Sequence, residues 1–204
     1  MAINPEVLGA RRVFSNLKKA LFRPWTITTD EETGKKTESL GNKIYDLVDI
    51  VADTTSVEQA DNEINAIDHE FSSTPLFENV NLGEKTFTTE CVDFQNDILE
   101  QLFGWEVNGD DAFAPVGYSD LYCQVELHFN STEDILVLPK VKLNSRAVIA
   151  SMKTDVSRAN ITGTCYPAYI TAGSKTKLTD MAVISKANKA SYSVSATGTA
   201  TADF

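Results

Sequence analysis

The residues with the most reactive side chains are two histidines and three cysteines, and their spacing brings no two of them together. His69 and His128 lie far apart, and neither belongs to an HxxxH or HExxH pattern of the kind that binds zinc on a helix. Cys91, Cys123 and Cys165 each alternate with apolar residues, which predicts buried core positions and not reactive thiols. Cys123 and His128 are five residues apart in one predicted strand and therefore point to opposite faces.

The sequence also lacks the common signatures of enzymes. It contains no GxGxxG, GxxxxGK[ST] or GxSxG. No motif therefore indicates dinucleotide binding, phosphate binding by a P-loop or a hydrolase nucleophile. Asp110 and Asp111 follow a glycine but lack the further spaced carboxylates of a calcium loop, and we interpret them as part of a solvated loop. We therefore expect no catalytic residue, no metal and no cofactor.

Charge is separated into blocks along the 204 residues, which carry a net charge of −11. Residues 1–26 have five basic side chains and one acid, whereas residues 27–111 have 21 acids and four bases. Nucleic-acid binding needs clustered Lys and Arg, so the middle of the chain is not expected to bind phosphates. No apolar run approaches the roughly 18 residues of a membrane span, and the first residues lack the apolar core of a signal peptide, so we expect no membrane contact and no secretion.

An amphipathic helix is predicted near the start of the chain, from Asn4 to the break at Pro24. Its apolar residues recur every three or four positions, which predicts a stripe that docks on another protein surface. The Thr-, Glu-, Lys- and Gly-rich residues 26–42 then predict an exposed linker. The residues we assign to an inter-subunit arm are Val7, Phe14, Leu17 and Leu21 on the stripe, with Arg11, Arg12, Lys18 and Lys19 beside it.

A mainly β body follows, with antiparallel sheets and one flanking α-helix. The clearest strand is 121–129, where apolar and polar residues alternate strictly over nine positions. The helix is predicted over 93–103, with Asp93 as its N-cap and Gly104 as a left-handed C-terminal cap. The other predicted strands cover residues 44–51, 62–71, 85–92, 135–138, 141–143, 147–152 and 160–170, with Pro139 allowed only at an edge or a bulge.

Three regions result from these patterns. Residues 1–43 are expected to form the N-terminal arm and linker, and residues 44–186 a β-sandwich or barrel-forming domain. Residues 187–204 form a Ser-, Thr- and Ala-rich tail, which is either flexible or a strand that orders against a neighbour.

The order of these elements resembles that of the tail tube proteins of tailed bacteriophages. Two stretches carry the resemblance, together about half of the chain: residues 53–105, DTTSVEQADNEINAIDHEFSSTPLFENVNLGEKTFTTECVDFQNDILEQLFGW, and residues 120–154, DLYCQVELHFNSTEDILVLPKVKLNSRAVIASMKT. The resemblance implies a β-sandwich with one flanking helix whose copies form rings, commonly of six, that stack into a tube conducting double-stranded DNA. It implies as partners other copies of the chain and further tail proteins (sheath or terminator, and tape measure), in a virion tail assembled in the host cytoplasm.

An acidic wall would let DNA slide through such a tube without binding. From strand alternation alone, the candidate lumen-facing acids are Asp68, Glu70, Glu90 and Glu126. Two other readings of the sequence stay open. One is another virion component, either a head-tail connector or a head decoration protein. The other is a monomeric binding module that stacks a ligand on Trp105, Phe113 and Tyr118 of the 105–119 loop.

Overall fold

The computed structural model describes residues 14–47, 49–67, 77–92, 94–117, 120–148 and 157–198. In chain order, the elements of the first half are β1 Leu17–Thr29, β2 Lys36–Leu40, β3 Tyr45–Leu47, β4 Ser56–Gln59, β5 Glu63–Ile67, β6 Phe77–Asn81, β7 Lys85–Cys91, the helix α1 Asn96–Phe103, β8 Glu106–Asn108 and β9 Asp111–Phe113. The second half adds β10 Leu121–Phe129, β11 Ile135–Val148, β12 Arg158–Tyr166, β13 Ala168–Ala172, β14 Lys175–Thr179, β15 Ala182–Ile184, a 3₁₀ turn at Lys186–Asn188 and β16 Ser193–Ser195. The expectation of a mainly β, antiparallel protein with one α-helix is confirmed for these residues.

The main sheet runs in the order β2-β1-β10-β11-β12-β7-β4, and β3 and β15 pair with β1 and β11 beside this path. The chain between β3 and β4 joins the two sides of the sheet. β3 pairs with β1, and three residues later Ile50 bridges to Cys91 at the end of β7. The main-chain N–H of Val51 donates to Glu90 O at 2.8 Å and extends this contact. The sheet therefore closes around its core at this point.

One face of the closed sheet surrounds the main apolar core. Alternate residues of each strand point into it, because successive side chains of a strand point to opposite faces. The helix α1 packs on the same core through its buried side and ends at Gly104, whose φ of 68° is the left-handed cap expected from the sequence. The fully buried members contributed by the strands include Phe22, Leu47, Phe87, Cys91, Cys123, Val125, Leu138 and Ile161.

A second, smaller layer covers part of the opposite face of the main sheet. It consists of the three-stranded sheet β14-β13-β16 and lies beside β15, a strand of the main sheet. Ile135 and Val137 of β11 point toward this layer and pack with Ile170 of β13 and Ile184 of β15. Part of the predicted C-terminal tail is thus a strand, since β16 pairs with β13 of the same chain.

Pro139 lies in the interior of β11, at the position where the pairing with β10 shifts register. From the sequence, we expect this proline only at an edge or a bulge. The register shift is such a bulge, since the sheet needs no hydrogen bond from the proline nitrogen at this position. The carbonyl of Pro139 accepts a hydrogen bond from the buried Trp25 Nε1 at 2.9 Å. The predicted strands 135–138 and 141–143 and the first two residues of the predicted strand 147–152 therefore belong to one long strand, while residues 149–152 lie outside the described part of the chain.

The prediction of an amphipathic helix near the start of the chain is wrong for the residues of it that the structure describes. Residues from Leu17 onward form β1, which pairs with β10 from Leu17↔Phe129 to Pro24↔Cys123. Pairing with a strand a hundred residues away outweighs a weak local helical preference. The linker expected over 26–42 is likewise a hairpin of β1 and β2, with a left-handed Gly34 in its turn. Residues 1–13 lie outside the described part of the chain.

Two short hairpins stand beside the main sheet. The strands β5 and β6 pair only with each other among the described residues, and so do β8 and β9, which are joined through a left-handed Gly109. Among the helices of the described ranges, none has the length and hydrophobicity needed to cross a membrane.

Candidate functional site

One partly exposed surface of the main sheet is the outer face of β4, β7, β12 and β11, which we call the polar face. Antiparallel partners lie directly opposite each other and share a face, so the register defines its members. Its residues are Ser56 and Glu58 of β4, Thr86, Thr88 and Glu90 of β7, Arg158, Asn160, Thr162, Thr164 and Tyr166 of β12, and Lys140, Lys142, Asn144 and Arg146 of β11. Uncharged hydroxyl and amide groups dominate this surface.

The charges on the polar face are mixed and not acidic. Its two acids are Glu58 and Glu90, and its four bases are Lys140, Lys142, Arg146 and Arg158. Glu90 also accepts a hydrogen bond from Arg158 Nη1 at 3.4 Å, at the end of β12. Three of the bases are paired with carboxylates, Lys140 with Glu38, Lys142 with Asp120 and Arg158 with Glu90, which reduces the attraction of this face for phosphates.

The polar face ends at an uncovered sheet edge. β4 pairs with β7 on one side and, within the described ranges, has no strand on its other side. At the opposite end of the sheet, β2 pairs with β1 alone. Such edges present main-chain N–H and C=O groups that can pair with a strand of another chain.

Of the four predicted lumen acids, Glu90 alone is seen on the polar face. Glu126 also points away from the main core, as alternation predicted, but the C-terminal layer covers it and its side chain is 15% exposed. Asp68 and Glu70 lie outside the described residues. That any of these acids faces a lumen stays a prediction.

Glu126 lies at the centre of a buried polar cluster, which we call the Glu126 cluster. Its Oε1 accepts hydrogen bonds from the Tyr192 hydroxyl and from Gln124 Nε2, the latter at 3.1 Å. Its Oε2 lies 3.2 Å from His128 Nε2, and Lys189 Nζ lies 3.1 Å from the other ring nitrogen, Nδ1. Gln124 Nε2 also donates to the Tyr192 oxygen at 2.8 Å.

The partners fix the protonation of the Glu126 cluster. An ammonium group has only donors, so the contact from Lys189 requires Nδ1 of His128 to be an acceptor and leaves Nε2–H to donate to Glu126. Burial raises the pKa of Glu126, but the hydrogen bonds from His128 and Tyr192 outweigh it and hold the pKa below its ordinary value. Burial, together with the hydrogen bond to Glu126, raises the pKa of Tyr192, so the hydroxyl stays a donor.

The Glu126 carboxylate, the His128 imidazole and the Tyr192 hydroxyl are groups that can transfer protons in enzymes. Here they are buried and largely shielded from solvent. His128 is 8% exposed and Gln124 is fully buried beneath the segment that carries Lys189 and Tyr192. The cluster therefore fastens the C-terminal layer to β10. Sequence reasoning found Glu126 and missed its partners, since alternation marks the polar side of β10 but not which distant residues cover it.

The predicted arm residues that are described belong to the subunit's own sheet. Phe14 packs edge-on against Phe129, with ring centroids 5.1 Å apart, and Leu17 packs on the main core. Leu21 lies opposite Glu126, on the other face of β1 from Leu17, so the two do not share a stripe. Lys18 is exposed, Lys19 Nζ lies 3.8 Å from Asp46 Oδ2, and Val7, Arg11 and Arg12 are outside the described residues.

The loop proposed to stack a ligand does not assemble its aromatic residues into a described site. Trp105 packs on the main core, while Phe113 of β9 is 55% exposed. Tyr118 lies outside the described residues. The three cysteines are buried, as expected, and within the described ranges no group of His, Cys, Asp and Glu could hold a metal ion.

Comparison with known proteins gives one structural similarity. No family model and no curated protein matches the sequence. A chain in the cryo-EM structure of the anti-feeding prophage (AFP) baseplate, 6-fold symmetrised, aligns at 8% identity over 87% of this chain and 98% of its own length, with a TM-score of 0.35. At this level the similarity assigns the chain neither a family nor a function.

Proposed function

We propose that this chain is a structural, non-catalytic subunit that forms rings with copies of itself, and that stacked rings form the tail tube of a phage particle or a related injection machine. The resemblance of residues 53–105 and 120–154 to tail tube proteins supports the tube. The structural observation that carries the assembly is that β2 and β4, at the two ends of the main sheet, each lack a second strand partner among the described residues, although β16 lies near β2.

The β2 edge and the β4 edge are different surfaces of the same chain. A contact between β2 of one copy and β4 of the next can therefore repeat from copy to copy around a ring. An interface between two different surfaces of one chain closes into a ring when the rotation per copy permits it. β2 begins with Lys36 and β4 contains Glu58, both exposed, so an edge-to-edge contact brings opposite charges together. Adding the β2 edge of one copy to the β4 edge of the next also satisfies main-chain groups that otherwise face water.

The polar face adjoins β4 and is our candidate for the wall along which DNA passes. Threonine and asparagine side chains dominate it, and three of its four bases are paired with carboxylates, so DNA would slide and not bind. Within this proposal Glu58 and Glu90 are the described acids on the wall, Glu90 being one of the four predicted from the sequence, and Glu126 serves to hold the subunit together. Sheath or terminator and tape-measure proteins are the further partners of such a tube in the virion tail.

Negative-stain electron microscopy, with light-scattering mass over a concentration series, tests the assembly. We expect rings or tubes with a central hole from the full chain, and mass that rises with concentration above the 22.4 kDa of one copy. Lys36→Glu and Glu58→Lys should each reduce assembly, and the two together should restore it if β2 meets β4. Glu100→Lys, on the exposed side of α1, makes the same charge change as Glu58→Lys away from both edges and is the control for that variant.

Two results would contradict the proposal. A persistent monomer at every concentration would remove the ring and favour a binding module that uses the exposed Phe113. Assembly that is unaffected by either single charge reversal would leave rings possible but would exclude the β2–β4 contact.

A further inference from the structure

The hairpin of β1 and β2 ends in a turn that is ordered although it is exposed. Each of residues 28–37 is exposed, and these residues include the paired ends of both strands. The turn is held by its own hydrogen bonds, since Asp30 Oδ1 accepts from the main-chain N–H of Glu32 at 3.0 Å and of Thr33 at 2.8 Å. The main-chain N–H of Asp30 also donates to Lys35 O at 2.9 Å. Because this turn is already ordered, it would lose little conformational freedom on binding another molecule.

We call residues 30–35 the acidic tip. They carry three acids, Asp30, Glu31 and Glu32, and one base, Lys35, which gives a net charge of −2. The Asp30 carboxylate is used inside the turn, so Glu31 and Glu32 are the carboxylates that another molecule would meet first. A partner of opposite charge would be attracted to this tip and oriented by it.

A basic cavity of about 780 Å³ lies beside the start of β1, at the other end of this strand from the acidic tip. Its lining carries four lysines and two acids, which gives a net charge of +2 with His128 neutral. The chain as a whole has a net charge of −11, so this surplus of bases is local. The lysines are Lys18 and Lys19 of β1 with Lys186 and Lys189 at the 3₁₀ turn, and the acids are Glu133 and Asp134 just before β11.

Two of the four lysines of the basic cavity have no carboxylate partner in the described part of the chain. Lys18 forms no ion pair there, and Lys189 Nζ contacts the ring nitrogen Nδ1 of His128 at 3.1 Å. The other two lysines are already paired with carboxylates: Lys186 with Glu133, and Lys19 with Asp46 at 3.8 Å. The cavity can therefore offer two ammonium groups to incoming carboxylates.

The acidic tip and the basic cavity cannot meet within one chain. Asp30 follows the last residue of β1 and comes twelve residues after Lys18, which places the two about 40 Å apart at about 3.3 Å per residue. A contact between tip and cavity therefore joins two copies end to end, along the direction of β1. The contact proposed between β2 and β4 runs across the strands, so both contacts can form in one assembly.

We propose that the acidic tip of one copy enters the basic cavity of a second copy, with Glu31 and Glu32 toward Lys18 and Lys189. A second copy is the occupant because surfaces of net charge −2 and +2 lie at opposite ends of one strand. A head-to-tail contact of this kind repeats from copy to copy and gives stacks. In the proposed tube the contact joins one ring to the next, a role that rests on the proposed function, whereas the contact itself does not.

Engineered cysteines in the full chain test this contact. Thr33→Cys on the acidic tip, combined with Asn130→Cys on the cavity lining, keeps every charge of the contact. Under oxidised glutathione the pair should give a ladder of dimers, trimers and longer products on a non-reducing gel, which dithiothreitol removes. The native cysteines are buried, and burial raises the pKa of Cys123 and of Cys165 to about 12, so they do not compete. Thr33→Cys with Glu100→Cys, on the exposed side of α1, is the control and should give no products beyond dimers.

Charge reversal gives a second readout in the same double-cysteine protein. Glu31→Lys and Lys18→Glu should each reduce the ladder several-fold, because each brings like charges together, and the two substitutions combined should restore it. Glu100→Lys is the control for Glu31→Lys, since it reverses an exposed charge on α1, and should leave the ladder unchanged. Raising the salt concentration to 1 M should shorten the ladder as well, because the Debye length falls to about 3 Å.

The proposal is overturned if neither cysteine pair gives a ladder, or if both pairs give equal ladders. Rings seen by electron microscopy without a ladder would also overturn it and would leave the β2–β4 contact standing. A ladder without rings would support the contact between the acidic tip and the basic cavity and would contradict the ring.

Discussion

The rings of Phe22 and Phe87 lie 5.9 Å apart in the middle of the core, although three strands separate β1 from β7 in the sheet. Both side chains are fully buried. A flat sheet would hold these strands about 19 Å apart, four spacings of about 4.8 Å. Their contact therefore shows how tightly the sheet curves, and the bridge of Ile50 to Cys91 closes it at the same place.

Phe87→Ala should lower the free energy of unfolding by about 3–5 kcal/mol, because it leaves a cavity where the two sides of the sheet meet. Urea unfolding followed by tryptophan fluorescence measures the change. Thr86→Ala, one residue earlier on the exposed polar face, is the control and should stay within about 0.5 kcal/mol of the unmodified protein. Equal effects of the two substitutions would mean that the Phe22–Phe87 contact is not central to the fold.

Glu126→Gln should destabilise the protein by about 1–3 kcal/mol at neutral pH, since the buried donors of His128 and Tyr192 lose a carboxylate acceptor. The pKa of Glu126 is held below its ordinary value of 4.5, so its contribution is present above pH 4.5 and is lost as the pH falls through the lower, folded-state pKa. The difference between the two proteins should therefore shrink as urea unfolding is repeated at lower pH.

Glu133→Gln is the matched control for that substitution, because Glu133 has a side chain 69% exposed and an ion pair only with Lys186. It should have little effect on stability at any pH. If Glu126→Gln behaved like this control, the Glu126 cluster would not hold the C-terminal layer.

The parts of this fold that could be predicted are those whose cause is local. The alternation of β10 and the left-handed Gly104 after α1 depend on neighbouring residues, and both are where the sequence placed them. β1 was misread because Leu17 and Leu21 are spaced like helix neighbours, while its true determinant is pairing with β10. The partners of Glu126 were missed for the same reason: Tyr192 is 66 residues away, and no local pattern connects them.

Asp180→Ala should cost about 1–3 kcal/mol, more than an exposed ion pair and less than a fully buried one. Lys85 Nζ lies 2.7 and 3.0 Å from the two carboxylate oxygens of Asp180, and the lysine side chain is 13% exposed. The pair ties β7 of the main sheet to the turn between β14 and β15. Thermal unfolding measures the loss, and Asp97→Ala, which removes the exposed partner of Lys43, should leave the midpoint nearly unchanged.

Gly163→Ala tests how closely β12 approaches β11. A Cβ at this position would lie 2.6 Å from the main-chain oxygen of Lys142 and 2.6 Å from Val141 Cγ1, and a main-chain atom in a sheet cannot move aside alone. We expect a loss of about 1–3 kcal/mol from overpacking. Gly117→Ala is the control, since a Cβ there meets no atom within 4 Å. Thr162 and Thr164 flank Gly163 and lie on the polar face, so a shift of β12 away from β11 would also move that face and β4. We therefore expect Gly163→Ala to reduce ring formation as well. A free energy of unfolding equal to that of the unmodified protein would show that the two strands can separate without cost.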